Sequence, residues 1–239
     1  MIRRNESAAL ILKLVMVCSL LFPGRISFGQ SVSPVIVEYT EKAEGRIALT
    51  NNTLFPMAVM MEPRSFSINP DGNGIFRSLD PAIHVELSAL SFRINPGQTY
   101  YVFYKAKAER LPAWFTIYST FSAVSRISDL DLRILLPHTV YIYPKKPKLK
   151  DEVIEVKQAA YQRKMGKIIC DFSNSSSDLE RVEEIRIASD SKSITAPGFP
   201  LLPFTQRHIE VDWNGADIPR KLELHLDRST VKLNLSTND

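Results

Sequence analysis

Four histidines, His84, His138, His208 and His225, are the first residues to test for chemistry. No two stand at a metal-ligand spacing with a cysteine or carboxylate, so no metal site is expected. Cys170 sits in Ile168-Ile169-Cys170-Asp171-Phe172 with no histidine near it in sequence. It reads as a small buried apolar group rather than a nucleophile. The chain carries no Gly-x-Ser-x-Gly elbow and no glycine-rich phosphate loop. Glu183-Glu184 and Asp227 are not paired by sequence across any groove. The expectation is a protein without catalysis and without a cofactor. The aromatic set Tyr100, Tyr101, Phe103, Tyr104, Trp114, Phe115 and Tyr118 is a candidate sugar platform, but its β spacing favours core and cross-strand packing. The remaining candidate is a row of apolar residues, Leu130, Leu132, Ile134 and Leu136, alternating with Asp129, Asp131 and Arg133. Alternate side chains of a strand share one face. Such a row can fill a groove in another chain by strand addition, or pack inside its own domain.

The N-terminus determines where this chemistry would operate. Arg3 and Arg4 precede an apolar stretch from Leu14 to Phe22, and Ser27-Phe28-Gly29 follows with small residues at both recognition positions. That order is a secretory signal peptide over residues 1–29, cut near Gly29/Gln30. The apolar run falls short of the roughly 20 residues that span a bilayer. Cys18 lies within it after Val17, which disfavours a lipid anchor. No later segment is apolar enough for stable membrane insertion. Residues 1–29 hold Arg3, Arg4, Lys13 and Arg25 against Glu6, so most of the formal +4 leaves with them. The basic character therefore does not argue for nucleic acid. The mature chain keeps one cysteine, so it has no internal disulfide and its cores must hold it.

Those cores are made by strands. Arg46–Thr50, Met57–Met61, Tyr100–Tyr104, Trp114–Phe121 and Leu130–Tyr143 are short β-rich runs. Turn signals separate them, notably Asn69-Pro70-Asp71-Gly72-Asn73-Gly74 and Asn95-Pro96-Gly97-Gln98. Residues 178–187 fit a short helix or a strand. Two prolines and four lysines over Pro144–Lys150 mark a stiff, solvated linker. Strands restart beyond it, at Val153–Val156, Lys167–Phe172, Val182–Ile187, His208–Trp213, Leu222–Leu226 and Val231–Leu235. The expected fold is all-β, with two immunoglobulin-like β-sandwich domains over 30–144 and 151–239, joined by a linker at 145–150. Asn51-Asn52-Thr53, Asn174-Ser175-Ser176 and Asn234-Leu235-Ser236 fit the glycosylation pattern.

Several pieces in this order resemble the PapD-like periplasmic chaperones of pilus assembly. They are Ile47-Ala48-Leu49-Thr50-Asn51, then Phe92-Arg93-Ile94-Asn95-Pro96-Gly97-Gln98, then Leu130–Ile134 with Val140-Tyr141-Ile142-Tyr143-Pro144, and finally Phe199-Pro200-Leu201-Leu202-Pro203. The resemblance implies two sandwiches joined at an angle and a periplasmic location. It implies a protein that caps pilus or fimbrial subunits by lending them an edge strand, with an outer-membrane usher as a further partner. It assigns client contact to Leu130, Leu132, Ile134 and Leu136. It also implies a basic pair that anchors the client's terminal carboxylate. Here Thr139 stands at one of those positions, and Ser31–Tyr39 holds no basic residue for the other. The alternative expectation is a secreted, non-enzymatic structural or adhesive component of a surface assembly.

Overall fold

The computed structural model describes residues 29–124, 133–145, 154–227 and 229–238. The signal peptide, most of the linker, and Leu130 and Leu132 lie outside the described residues. The described chain is all-β. The first sandwich contains β1 (Gln30–Ser33), β2 (Ile36–Thr40), β3 (Ala43–Asn51), β4 (Met57–Ile68), β5 (Gly74–Ser78), β6 (Ile83–Leu87), β7 (Ser91–Ile94), β8 (Thr99–Ala108), β9 (Ala113–Ala123) and β10 (Arg133–Tyr143). One sheet has the order β1-β3-β8-β6. The other has the order β2-β10-β9-β4-β5, with β7 also on β4. The second sandwich contains β11 (Ile154–Gln162), β12 (Lys167–Asn174), β13 (Glu180–Ala188), β14 (Ser193–Leu201), β15 (Gln206–Asp212), β16 (Lys221–Leu226), β17 (Thr230–Asn234) and β18 (Ser236–Asn238). Its sheets run β15-β12-β11-β18 and β14-β13-β16-β17. Residues 180–188 are strand, so the helical alternative for that segment is set aside.

Alternation fills each interior. Ile47 and Leu49 of β3, Val102 and Tyr104 of β8, Phe115, Ile117 and Phe121 of β9, and Val140 and Ile142 of β10 form the first core. Ile168, Cys170 and Phe172 of β12 meet Val182, Ile185 and Ile187 of β13 in the second. Burial pushes the Cys170 thiol up to about 12, so it stays protonated and inert. The aromatic set divides. Tyr104 and Phe115 are core, but Tyr101 and Phe103 stand on the outer face of the first sheet, 48% and 57% exposed. The Arg46 guanidinium lies over the Tyr101 ring at 5.2 Å.

Two of the glycosylation-like triplets have a structural origin. Asn51 is fully buried, and its Nδ2 donates to the Phe55 and Ile94 carbonyls at 2.8 and 3.1 Å. Its Oδ1 accepts from the Thr53 backbone N–H and hydroxyl. Asn174 repeats this in the second sandwich, donating to the Asp178 and Leu201 carbonyls at 2.7 and 3.1 Å. Its Oδ1 accepts from the Ser176 backbone N–H and hydroxyl. The Asn-x-Ser/Thr spacing at both places closes a turn after a strand.

The sandwiches touch through Phe66 and Tyr141 of the first and Leu179 and Leu202 of the second, which share one buried cluster. Arg181 of β13 pairs with Glu38 of β2 beside it. The turn between β4 and β5 reaches β15, where the His208 backbone N–H donates to the Pro70 carbonyl at 2.7 Å. Gly72 in that turn has φ +88° and lies against the Arg207 guanidinium, leaving no room for a Cβ.

Candidate strand-pairing edge

The first strand of the fold is split between sheets. β1 pairs with β3, and after Pro34 the chain crosses to the other sheet, where β2 pairs parallel with β10. That pairing covers only Thr139–Tyr143. On its other side β10 pairs with β9 along Arg133–Ile142. Over residues 134–138, no described strand occupies the β2 side of β10. The Thr139 N–H donates to the Val35 carbonyl at 2.7 Å, which fixes the parity of the strand. Successive residues aim their N–H and C=O to opposite sides, so Leu135 and Pro137 face the open side, while Ile134, Leu136 and His138 bond toward β9. Pro137 is tolerated because the N–H it lacks falls on the open side. The edge therefore offers the Leu135 N–H and the carbonyls of Leu135 and Pro137.

The side chains sort the same way. Ile134 and Leu136 are half-buried on the inner face and pack against the first core. Leu135 points outward and is 55% exposed. It lies in register with Thr120 of β9, and Thr120 with Met60 of β4, which is 61% exposed. Met60 pairs with Ser91, next to Leu90, which is 62% exposed. Leu135 and Met60 thus stand exposed on the outer face, two strands apart across Thr120, with Leu135 at the open edge. Sequence reasoning missed this pair, because the two residues come from separated segments and only register relates them.

Thr139 is half-buried on the same outer face. Its hydroxyl lies 3.2 Å from that of Thr116, its partner on β9. Thr116 is in register with Arg64 of β4. A cation therefore shares the Thr139 row, and it comes from β4 rather than from the first strand. The Arg64 Nε lies 2.9 Å from Glu62 Oε1, and its Nη2 donates to Oε2 at 2.9 Å. The Glu62 carboxylate raises the Arg64 guanidinium further above its ordinary value.

Behind the edge, His138 is fully buried between the sheets. Its Nδ1 lies 2.6 Å from the Pro34 carbonyl and its Nε2 lies 3.0 Å from the Tyr104 hydroxyl. A carbonyl only accepts, so Nδ1 carries the proton and Nε2 accepts from Tyr104. Tyr104 in turn accepts from Tyr39 at 2.9 Å. Gly45 makes this possible, since a Cβ there would collide with both tyrosine hydroxyls. The network ties the sheet switch at Pro34 to both layers. Burial pushes the His138 pKa below its usual value, against the Pro34 bond that raises it. The unfolded chain then takes up this proton first. Stability is full above about pH 6.5 and declines as pH falls from there toward the folded value. A His138→Gln variant is expected to be less stable at pH 7.5 and to lose less on transfer to pH 5.5. Urea midpoints at the two pH values check this, and an equal acid loss in both proteins would exclude His138 as the cause.

Among the described residues, no cluster of three metal-ligating groups occurs and no helix is long and apolar enough to cross a membrane. No protein-family model matches the chain, and no curated sequence matches it significantly. Solved structures do match. The YadV chaperone aligns with a TM-score of 0.54 at 11% identity, over 86% of this chain and 99% of its own. The class 5 fimbriae chaperone CfaA gives 0.50 at 10% identity, over 87% and 99%. A chain from the Salmonella enterica complex of SafA pilin with the SafB chaperone gives 0.50 at 13% identity, over 87% and 97%. The chain therefore has the two-sandwich fold of these fimbrial chaperones.

Proposed function

We propose that the protein is an exported, non-enzymatic chaperone that holds pilus or fimbrial subunits by pairing a client strand with the open edge of β10. The observation that carries this reading is the edge over residues 134–138, where no described strand lies beside β10 and Leu135 is exposed. An unpaired edge is a liability that soluble proteins normally cover, and here a partner strand covers it. Main-chain bonds supply the pairing, and side chains on both faces supply contact. Ile134 and Leu136 meet the client on one face and Leu135 and Met60 on the other, and Leu130 and Leu132 are further client contacts. Arg64 takes the part of the expected basic pair, with Thr116 and Thr139 as hydroxyl donors to a client carboxylate. Glu62 yields its ion pair when that carboxylate arrives. The fold shared with chaperones supports the reading, and by that likeness an outer-membrane usher is the next partner.

The test is to recover the tagged protein from its native periplasm and identify what copurifies. A small β-rich subunit at equal stoichiometry, lost in Leu132→Asp, is the expected result. A bare monomer, or an assembly of this chain alone, would overturn it in favour of a structural or adhesive component of a surface assembly.

A further inference from the structure

The turn between β4 and β5 holds two steps of a reactive kind, Asp71-Gly72 and Asn73-Gly74, and the loop after β15 holds a third, Asn214-Gly215. In such a step the glycine nitrogen lies within reach of the preceding side-chain carbonyl carbon, and the glycine carries no side chain to hinder attack. Attack then depends on a free nitrogen and on a side chain that can turn toward it.

The hydrogen bonds of the turn separate the first two steps. The Gly72 N–H donates to the Asn69 carbonyl at 2.9 Å, so that nitrogen is engaged. The Asn69 N–H donates to the Asn73 carbonyl at 3.0 Å, and the Asn73 N–H donates to Asn69 Oδ1 at 2.7 Å. Asn69 and Asn73 thus face each other one step beyond the Ile68–Gly74 pair of the ladder. Successive residues of an antiparallel pair aim their N–H groups to opposite sides, so the Gly74 N–H points away from β4. β5 ends its sheet, and no described strand lies on that side. Asn73 and Gly74 are both exposed, and the Asn73 side chain makes no hydrogen bond among the described residues.

Asn214-Gly215 is held by comparison. Lys192 Nζ donates to Asn214 Oδ1 at 2.7 Å and to the Asn214 carbonyl at 3.2 Å. The Trp213 N–H donates to the Gly166 carbonyl at 2.8 Å, and its indole N–H donates to the Asp217 carbonyl at 2.7 Å. Gly215 lies against the Trp213 ring, where a Cβ would collide. The side chain that must turn is clamped, and so is the chain on both sides of it.

We propose that Asn73 is a site of spontaneous deamidation and isoaspartate formation, and that the change loosens the contact between the two sandwiches. The Gly74 nitrogen gives its proton to solvent and forms a bond to Asn73 Cγ. The bond from Cγ to Nδ2 breaks, and Nδ2 leaves as ammonia, which closes a cyclic imide. Water then opens the imide. Addition at Cγ gives aspartate, and addition at the main-chain carbonyl gives isoaspartate. In isoaspartate the main chain passes through Cγ, so the turn gains a main-chain atom, and the carbonyl that faced Asn69 becomes a free carboxylate. The turn so distorted is the one that offers the Pro70 carbonyl to the His208 N–H and lays Gly72 against Arg207.

The test holds the purified full chain in warm, mildly alkaline buffer. Peptide mass mapping reads the change from amide to acid at Asn73 and Asn214, and an isoaspartyl methyltransferase reads the isomer. Asn73 is expected to convert about tenfold faster than Asn214, where the Lys192 bond must break first. The aged protein is expected to lose about tenfold in hydrogen-exchange protection at the His208 amide. Asn73→Gln blocks the reaction at an exposed position and should keep that protection through the same incubation. Conversion of Asn214 as fast as Asn73, or isoaspartate at Asp71 in its place, would overturn the proposal. So would unchanged His208 protection in the aged parent, or an equal loss in Asn73→Gln.

Discussion

Leu135→Pro is expected to leave the protein folded and to abolish client capture. Leu135 aims its N–H at the open side of β10, a parity fixed by the Thr139–Val35 hydrogen bond. Proline there removes a donor that no described group uses, the one amide that residues 134–138 aim at the open side. The residue before it, Ile134, is already extended, as a pre-proline residue must be. Leu136→Pro is the matched control. Its N–H points at Ser119 of β9, so proline there breaks a ladder bond and should destabilise the fold measurably more than Leu135→Pro. Urea unfolding of the two variants, alongside copurification from the periplasm, gives the contrast. If Leu135→Pro folds and still carries its client, main-chain pairing at this edge is not how the client is held. This variant tests the backbone, which a polar side chain at Leu132 does not.

Much of this edge could be read from the sequence, and the part that could not has a physical cause. The alternation in Leu130–Tyr143 identifies a strand, and Pro137 within it suits a stretch with one side unpaired, because proline lacks the N–H that a neighbouring strand would use. What alternation leaves open is which face turns inward. The inner row through His138, Val140 and Ile142 is decided by tertiary packing, and it places Ile134 and Leu136 against the core of their own sandwich. On β8 the parity was legible. Lys105 and Lys107 must face solvent, so Tyr101 and Phe103 share that face, and counting them as core overlooked their charged neighbours. The run Met57–Met61 reads as ending at Glu62-Pro63, yet β4 continues to Ile68. Met61 N–H bonds to Leu90, so Pro63 has the same parity and its missing N–H falls between β7 and β5, where no strand needs it. The turn expected in Phe199–Pro203 begins later, since β14 extends to Leu201. Arg64 could not be found at all by sequence position, because only the pairing of β4 with β9 brings it into the Thr139 row.

Asn51→Ala and Asn174→Ala are expected to be the most destabilising polar substitutions in their respective sandwiches. Asn51 has no exposed surface and Asn174 has 1%. Each side chain serves two backbone carbonyls, one backbone N–H and one hydroxyl at a strand end. Alanine removes the common partner of all four. A buried polar group left without a partner costs about 1–3 kcal/mol, and water entering the turn recovers part of that. A loss of about 3 kcal/mol in each variant follows. Asn51→Asp should fare no better, because a carboxylate cannot donate to the Phe55 and Ile94 carbonyls and brings a charge into the core. The measurement is urea unfolding followed separately by Trp114 and Trp213, one in each sandwich. Asn51→Ala should lower the Trp114 transition and Asn174→Ala the Trp213 transition. A loss below about 1 kcal/mol in either would mean that the turn is held by its backbone bonds and the asparagine is replaceable. Large losses in both would show that the same Asn-x-Ser/Thr device closes a strand end in each half of the chain, which is the physical reason the triplet recurs.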